Sequence, residues 1–111
     1  MDIISLMKER ETEFIELCRA HNVIKIYAFG SSITDKFDPI KSDIDIVVSL
    51  DIDDPADRGE ALLSLWDKFE EFFKRRVDLL TENSIRNPIL KANIDRTKKL
   101  VYDREREKVL I

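Results

Sequence analysis

Apolar positions along this chain switch between two periods. Over residues 2–21, Ile3, Ile4, Met7, Phe14, Ile15, Leu17 and Cys18 fall on one stripe with Glu and Arg between them. That spacing predicts one amphipathic helix, with Asn22 as its stop. The period then drops to two. In Val23–Phe29, Ile24, Ile26 and Ala28 share one face, and Lys25 and Tyr27 take the other. This predicts a strand. Gly30 to Lys41 reads as loop, and Pro39 excludes a long helix there. Ile44 to Leu50 predicts a second strand.

An acidic connector, Asp51-Ile52-Asp53-Asp54-Pro55, follows. Asp54 before Pro55 has the form of an N-cap with proline at the first helical position. A helix from about Pro55 to Lys74 would bury Leu62, Leu65, Trp66, Phe69, Phe72 and Phe73. Gly59 weakens its first turns by up to about 1 kcal/mol relative to Ala. Arg76 to Leu80 predicts a third strand. Asn83 or Ser84 would cap a further helix with Ile85, Ile89, Leu90 and Ile94 inward. Leu100-Val101-Tyr102 would form a fourth strand, at an edge, and a charged tail would begin at about residue 103. The fold class expected is α/β (α+β). A small mixed sheet would carry its helices mainly on one face, in a single domain over 1–111. Gly30–Lys41 is short enough for an antiparallel pair between the first two strands.

Composition narrows the class. Hydrophobic residues make up 43% of 111, enough for one core, and charged residues make up 38%, enough for a solvated surface. No apolar run approaches the ~20 residues of a membrane helix. The N-terminus lacks the form of a signal peptide, and the lone Cys18 cannot form an internal disulfide. The expected compartment is the cytoplasm. A net charge of −4 argues against broad phosphate-backbone binding. It leaves room for a nucleotide whose charge a metal neutralises.

The candidate chemistry lies in acids that enter strands. Asp43 and Asp45 stand two apart at the start of a Val/Ile run, so they project to one face. Aspartate is depleted in strands. Two like charges at ~4 Å repel by about 4 kcal/mol at an effective dielectric near 20, and a divalent cation reverses that penalty. The plainer reading is a pair of solvated acids at a strand entrance. Asp78, inside Arg76-Val77-Asp78-Leu79-Leu80, would join them if its strand lies beside the second. Three such carboxylates bind one or two metals in nucleotidyl transfer, and the third can accept a hydroxyl proton. Its plainer reading is a surface acid paired with Arg75 or Arg76. Gly30 and Ser31 form a phosphate cradle in the functional reading and an ordinary strand-ending turn otherwise. His21 reads as a helix-end group and Cys18 as core. Lys36 and Lys41 are solvated, or one of them reaches a triphosphate. The stripe of Trp66, Phe69, Phe72 and Phe73 reads as core, with a partner surface as the alternative.

Phe29-Gly30-Ser31 followed by Ser42-Asp43-Ile44-Asp45-Ile46-Val47-Val48 resembles the minimal nucleotidyltransferase (MNT) domains of the DNA polymerase β-like superfamily. Arg76-Val77-Asp78-Leu79-Leu80-Thr81 is similar to the strand of the third acid. Asn87-Pro88 with Lys99-Leu100-Val101-Tyr102 is similar to the closing segment, and the likeness spans about residues 20–103. The resemblance implies the nucleotidyltransferase fold. It also implies Mg²⁺-dependent transfer of a nucleoside monophosphate, AMP from ATP in the leading reading, to a hydroxyl. Asp43, Asp45 and Asp78 would hold one or two Mg²⁺ ions, and Gly30 and Ser31 the β and γ phosphates. Many relatives are antitoxins of HEPN-domain toxins, and some add AMP to a toxin tyrosine. A HEPN-type toxin or another helical protein is thus the expected partner and acceptor, with a homo-oligomer as the other way to complete the pocket. Two further readings compete: a non-catalytic antitoxin that masks its toxin, and a nucleotide sensor without turnover.

Overall fold

In a computed structural model, residues 3–30, 43–106 and 108–109 are described. Helices α1 (Ile3–Glu9) and α2 (Glu11–Ala20) precede strands β1 (Val23–Phe29) and β2 (Ile44–Leu50). Helix α3 (Pro55–Phe73), strand β3 (Val77–Leu80) and a 3₁₀ turn (Glu82–Ser84) follow. Helix α4 (Pro88–Thr97), β4 (Lys99–Asp103) and β5 (Lys108–Val109) complete the order.

The five strands run β3-β2-β1-β4-β5 across one sheet. β1 pairs antiparallel with β2 and with β4, β4 pairs antiparallel with β5, and β2 pairs parallel with β3. The parallel pair is the one bridged by a long helix, as a crossover requires. The expected mixed sheet is the one observed.

Alternate strand residues define two faces. Ile26, Ala28, Ile44, Ile46, Val48, Val77 and Leu79 point into a core with Ile3, Met7, Phe14, Cys18, Leu65, Phe69 and Phe73. Helices α1, α2 and α3 therefore cover one face. Phe14 is the hub of this layer. Its ring stacks on Phe69 at 5.5 Å and meets Phe72, Phe73 and Tyr102 at 5.6, 6.3 and 6.0 Å. The aromatic stripe of α3 is thus core. Trp66 is half-buried and donates from Nε1 to the Val77 carbonyl at 2.6 Å, tying α3 to β3.

The cap of α3 agrees with the sequence: Asp54 accepts from the Asp57 amide at 2.9 Å, and Pro55 follows. Four other expectations change. The first helix is two helices, broken at Arg10 (φ −132°, ψ 49°). The stripe has no apolar anchor between Met7 and Phe14, and Arg10 has a better use outside a continuous helix. Helix α3 has no basic residue in its last turn. Arg10 supplies one: Nη1 donates to the Phe72 carbonyl at 3.1 Å, and the guanidinium lies 4.4 Å over the Phe72 ring.

The inward residue at the start of β1 is Val23, with Ile24 only partly buried, because the register slips between Val23 and Lys25. β4 is internal, not an edge, and the segment expected as a charged tail continues the sheet. Asp103 is buried and accepts from the Glu105 amide at 3.0 Å, turning the chain so that β5 covers β4. The last helix starts later than expected, at an Asn87 cap that accepts from the Ile89 and Leu90 amides. Of its expected inward stripe only Ile94 is buried; Ile89 is 73% exposed and Leu90 47%.

Candidate active site

The face of the sheet opposite the three-helix layer carries the acids. Ile44, Ile46 and Val48 occupy the core face, so Asp45 and Val47 take the other, and Asp43 continues that side just before β2. In the parallel pairing, Asp45 is the register partner of Asp78, one step beyond Ile44 and Val77. On its other side Asp45 is opposite Phe29, the residue before Gly30. Three segments remote in sequence therefore meet at one point: the end of β1, the start of β2 and the middle of β3.

This arrangement costs Asp45. Burial pushes its carboxyl up to about 6, and a hydrogen bond with Asp78 and the negative charges of Asp78 and Asp43 push the same way. A hydrogen bond between two carboxyl groups needs a proton on one of them. Asp78 itself is exposed, between buried Val77 and Leu79. Asp78 is thus turned toward Asp45. Arg75 donates from Nε to the Phe73 carbonyl at 3.3 Å.

Gly30 closes β1 with φ +63°, the left-handed region that favours glycine. The space is as demanding as the dihedral. A Cβ built at Gly30 would stand 2.8 Å from Asp45 Oδ2. Glycine here lets the backbone run directly past the carboxylate. Ser31, Lys36 and Lys41 lie outside the described residues.

The donor set suits a hard cation. It is all oxygen and all anionic, and Mg²⁺ takes one or two carboxylates and completes its shell with water and phosphate oxygens. Asp45 and Asp78 supply such a pair, with Asp43 on the same side. Among the described residues no group of three His, Cys, Asp or Glu side chains is placed to hold a metal ion. The candidate site is a pair of carboxylates with a neighbouring acid.

The remaining chemical groups are structural. His21 Nδ1 lies 2.8 Å from the Leu17 carbonyl and Nε2 2.9 Å from Ser64 Oγ, which joins α2 to α3. Burial pushes the Cys18 thiol up and leaves it inert. Two cations lie along this face: Arg76, weighed from the sequence only as an ion partner of Asp78, and Lys98, which the sequence did not single out. Arg76 is exposed and directly precedes Val77, and its carbonyl accepts from the Ile44 amide at 3.0 Å, which places it across from Asp43. Its position two before Asp78, the period of a strand, is the signal that marks it. Lys98 lies over the Tyr27 ring at 4.5 Å and pairs with Asp95 at 3.1 Å and Glu82 at 3.8 Å. Only the fold brings it to this face.

Comparison with known proteins agrees with the geometry. The family model "Polymerase beta, Nucleotidyltransferase" matches residues 12–107. No protein of curated function matches the chain. A solved minimal nucleotidyltransferase is similar in fold, with TM-score 0.58 and 24% identity over 89% of this chain and 95% of that one. A toxin–antitoxin structure with AMP-PNP is 26% identical, with TM-score 0.56 over 87% and 77% of the two chains. A structure of a tri-AMPylated HEPN toxin with its MNT antitoxin, from Shewanella oneidensis, is 25% identical, with TM-score 0.51 over 91% and 76%. The paired strand acids and the glycine bend beside them are thus those of a chain that belongs to the polymerase β nucleotidyltransferase family.

Proposed function

We propose that this chain transfers AMP from ATP to a hydroxyl on a partner protein in the presence of Mg²⁺, and that it serves as the antitoxin of a HEPN-type toxin in the cytoplasm. The observation that carries the reading is the Asp45–Asp78 register pair on adjacent strands, with Gly30 against Asp45. The similarity to complexes that hold AMP-PNP or an AMPylated HEPN toxin supports the choice of nucleotide and partner. No described helix is long and apolar enough to cross a membrane.

Asp43, Asp45 and Asp78 are the residues that would hold the cation. When bound, Mg²⁺ supplies neutralisation of the triphosphate and of the charge that develops on pyrophosphate. The chain's own groups do the rest. Gly30 and Ser31 are the residues that would hold the β and γ phosphates. Asp78, the exposed member of the pair, takes the proton of the acceptor hydroxyl. The hydroxyl oxygen bonds to the α-phosphorus. The bond from that phosphorus to the bridging oxygen breaks, and pyrophosphate leaves with the electron pair.

The test is label transfer. The folded chain, α-labelled ATP, Mg²⁺ and a HEPN-type toxin are incubated together. Label is expected on the toxin and is lost with Asp43→Ala and Asp45→Ala combined. If the double variant still protects cells at equal abundance, masking of the toxin replaces catalysis as the function.

A further inference from the structure

Helix α4 was expected to bury four apolar residues and buries one. Ile94 is 3% exposed and Ile89 73%. With Leu90 also exposed, the first turn of α4 presents two large aliphatic side chains next to each other. The segment that carries them has a charge opposite to that of the molecule, although Lys91 and Lys98 pair with Asp95 and Lys98 also with Glu82. Residues 85–99 contain five cations, Arg86, Lys91, Arg96, Lys98 and Lys99, against the single carboxylate of Asp95, in a chain of net charge −4. All but Lys98 of these cations are exposed.

The helix is also tied to the acid face. Lys98, at its C-terminal end, covers Tyr27, and Tyr27 is the register partner of Val47. Val47 is two residues along β2 from Asp45, roughly 7 Å at strand rise. The ten residues of α4 span about 15 Å, so its aliphatic end is within reach of any macromolecule whose hydroxyl enters the site.

We propose that α4 and its flanks, residues 85–99, are the docking surface for the acceptor. The acceptor is a polypeptide that meets Ile89 and Leu90 with an apolar side chain ringed by carboxylates. The inference rests on the transfer reading above and adds to it the surface on which the acceptor protein docks. A protein fits better than a nucleic acid because the exposed anchors are aliphatic, while single strands are held by exposed aromatic platforms. The described α4 segment has no aromatic residue, and the nearby Tyr27 ring is covered by Lys98. An apolar centre with a polar rim is the usual form of a specific protein contact.

The test uses the intact chain and three fluorescent probes: a random Glu–Tyr copolymer, a random Lys–Tyr copolymer and a single-stranded thymidine oligonucleotide. Two double variants are compared, Ile89→Ser with Leu90→Ser and Arg86→Glu with Lys99→Glu. All four positions are exposed, and circular dichroism with melting checks that the fold is kept. Anisotropy should show the Glu–Tyr copolymer binding the wild type, weakening with salt and falling about tenfold or more in each variant. With ATP and Mg²⁺, AMP transfer to the copolymer tyrosines should show a raised KM and an unchanged kcat in the variants. Equal binding by wild type and variants overturns the proposal. So does tighter binding of the Lys–Tyr copolymer or the oligonucleotide. Sedimentation showing a wild-type dimer and monomeric variants overturns it as well, because a second copy is then the occupant. If the copolymer binds through α4 and no label is ever transferred, the docking surface stands and the transfer reading fails.

Discussion

Gly30 lies so close to Asp45 that a methyl group on it would stand 2.8 Å from the Asp45 Oδ2 atom. Two demands meet at this residue: a left-handed φ of +63° and a carboxylate that occupies the space of a side chain. The first costs about 1–2 kcal/mol for a non-glycine residue. The second is relieved only if Asp45 moves. Gly30→Ala is therefore expected to lower stability by about 1–2 kcal/mol in urea unfolding and to reduce AMP transfer by about 100-fold, because a displacement near 1 Å is enough for such a loss. A variant with normal activity would show that the Asp45 position is not critical.

The carboxylate cluster sets a pH dependence. The folded-state pKa of Asp45 is about 6, against an ordinary value of 3.8. Folding therefore favours the protonated form. The contribution of Asp45 to stability is full below about 3.8 and is lost as pH rises through about 6. Asp45→Asn should then stabilise the metal-free protein at pH 7, by about 1 kcal/mol once screening at this half-exposed position is allowed for. The variant should lose this advantage at pH 4. Thermal melts of both proteins across this range check the sign. A wild type that falls further behind Asp45→Asn as pH falls would contradict it.

Metal should reverse the same penalty. Mg²⁺ that binds only the folded chain raises the melting temperature as its concentration passes the dissociation constant. The rise is expected for the wild type at pH 7 and not for Asp45→Asn combined with Asp78→Asn. An equal rise in both would place the ion elsewhere.

The core makes a prediction of a different kind. Phe14 is fully buried and meets four other aromatic rings. Phe14→Ala is expected to cost about 3–5 kcal/mol in urea unfolding. A loss under 1 kcal/mol would mean that α2 does not hold this layer together.

The acids of the candidate site were easier to pick out in the sequence than the outer parts of the fold. Asp43, Asp45 and Asp78 stand out because carboxylates interrupt Val/Ile runs; local strand parity assigns Asp43 and Asp45 to one face, and Asp78 joins them only through the β2–β3 pairing. Gly30 was legible as a bend, but its contact with Asp45 depends on the β1–β2 register, which no local pattern fixes. The break at Arg10 was hidden because apolar residues of the same stripe resume at Phe14 beyond the polar gap; Arg10 reaches the last turn of α3, more than sixty residues away, which has no basic residue of its own. Asp103 looked like the first residue of a charged tail, yet it turns the chain into β5, since Val109 offers one more apolar residue to the core. On α4 the helical period was present and buried only Ile94. A stripe in sequence records an apolar face and does not say whether this chain or another covers it.

The central claim is that Asp45 and Asp78 form one cation-assisted nucleotide site. Calorimetry of AMP-PNP binding to the wild type and to Asp45→Asn with Asp78→Asn, each with and without Mg²⁺, tests it without a partner protein. The account predicts wild-type binding that requires Mg²⁺ and weakens about tenfold or more in the folded double variant. Equal affinity in the two proteins, or binding indifferent to Mg²⁺, would contradict it.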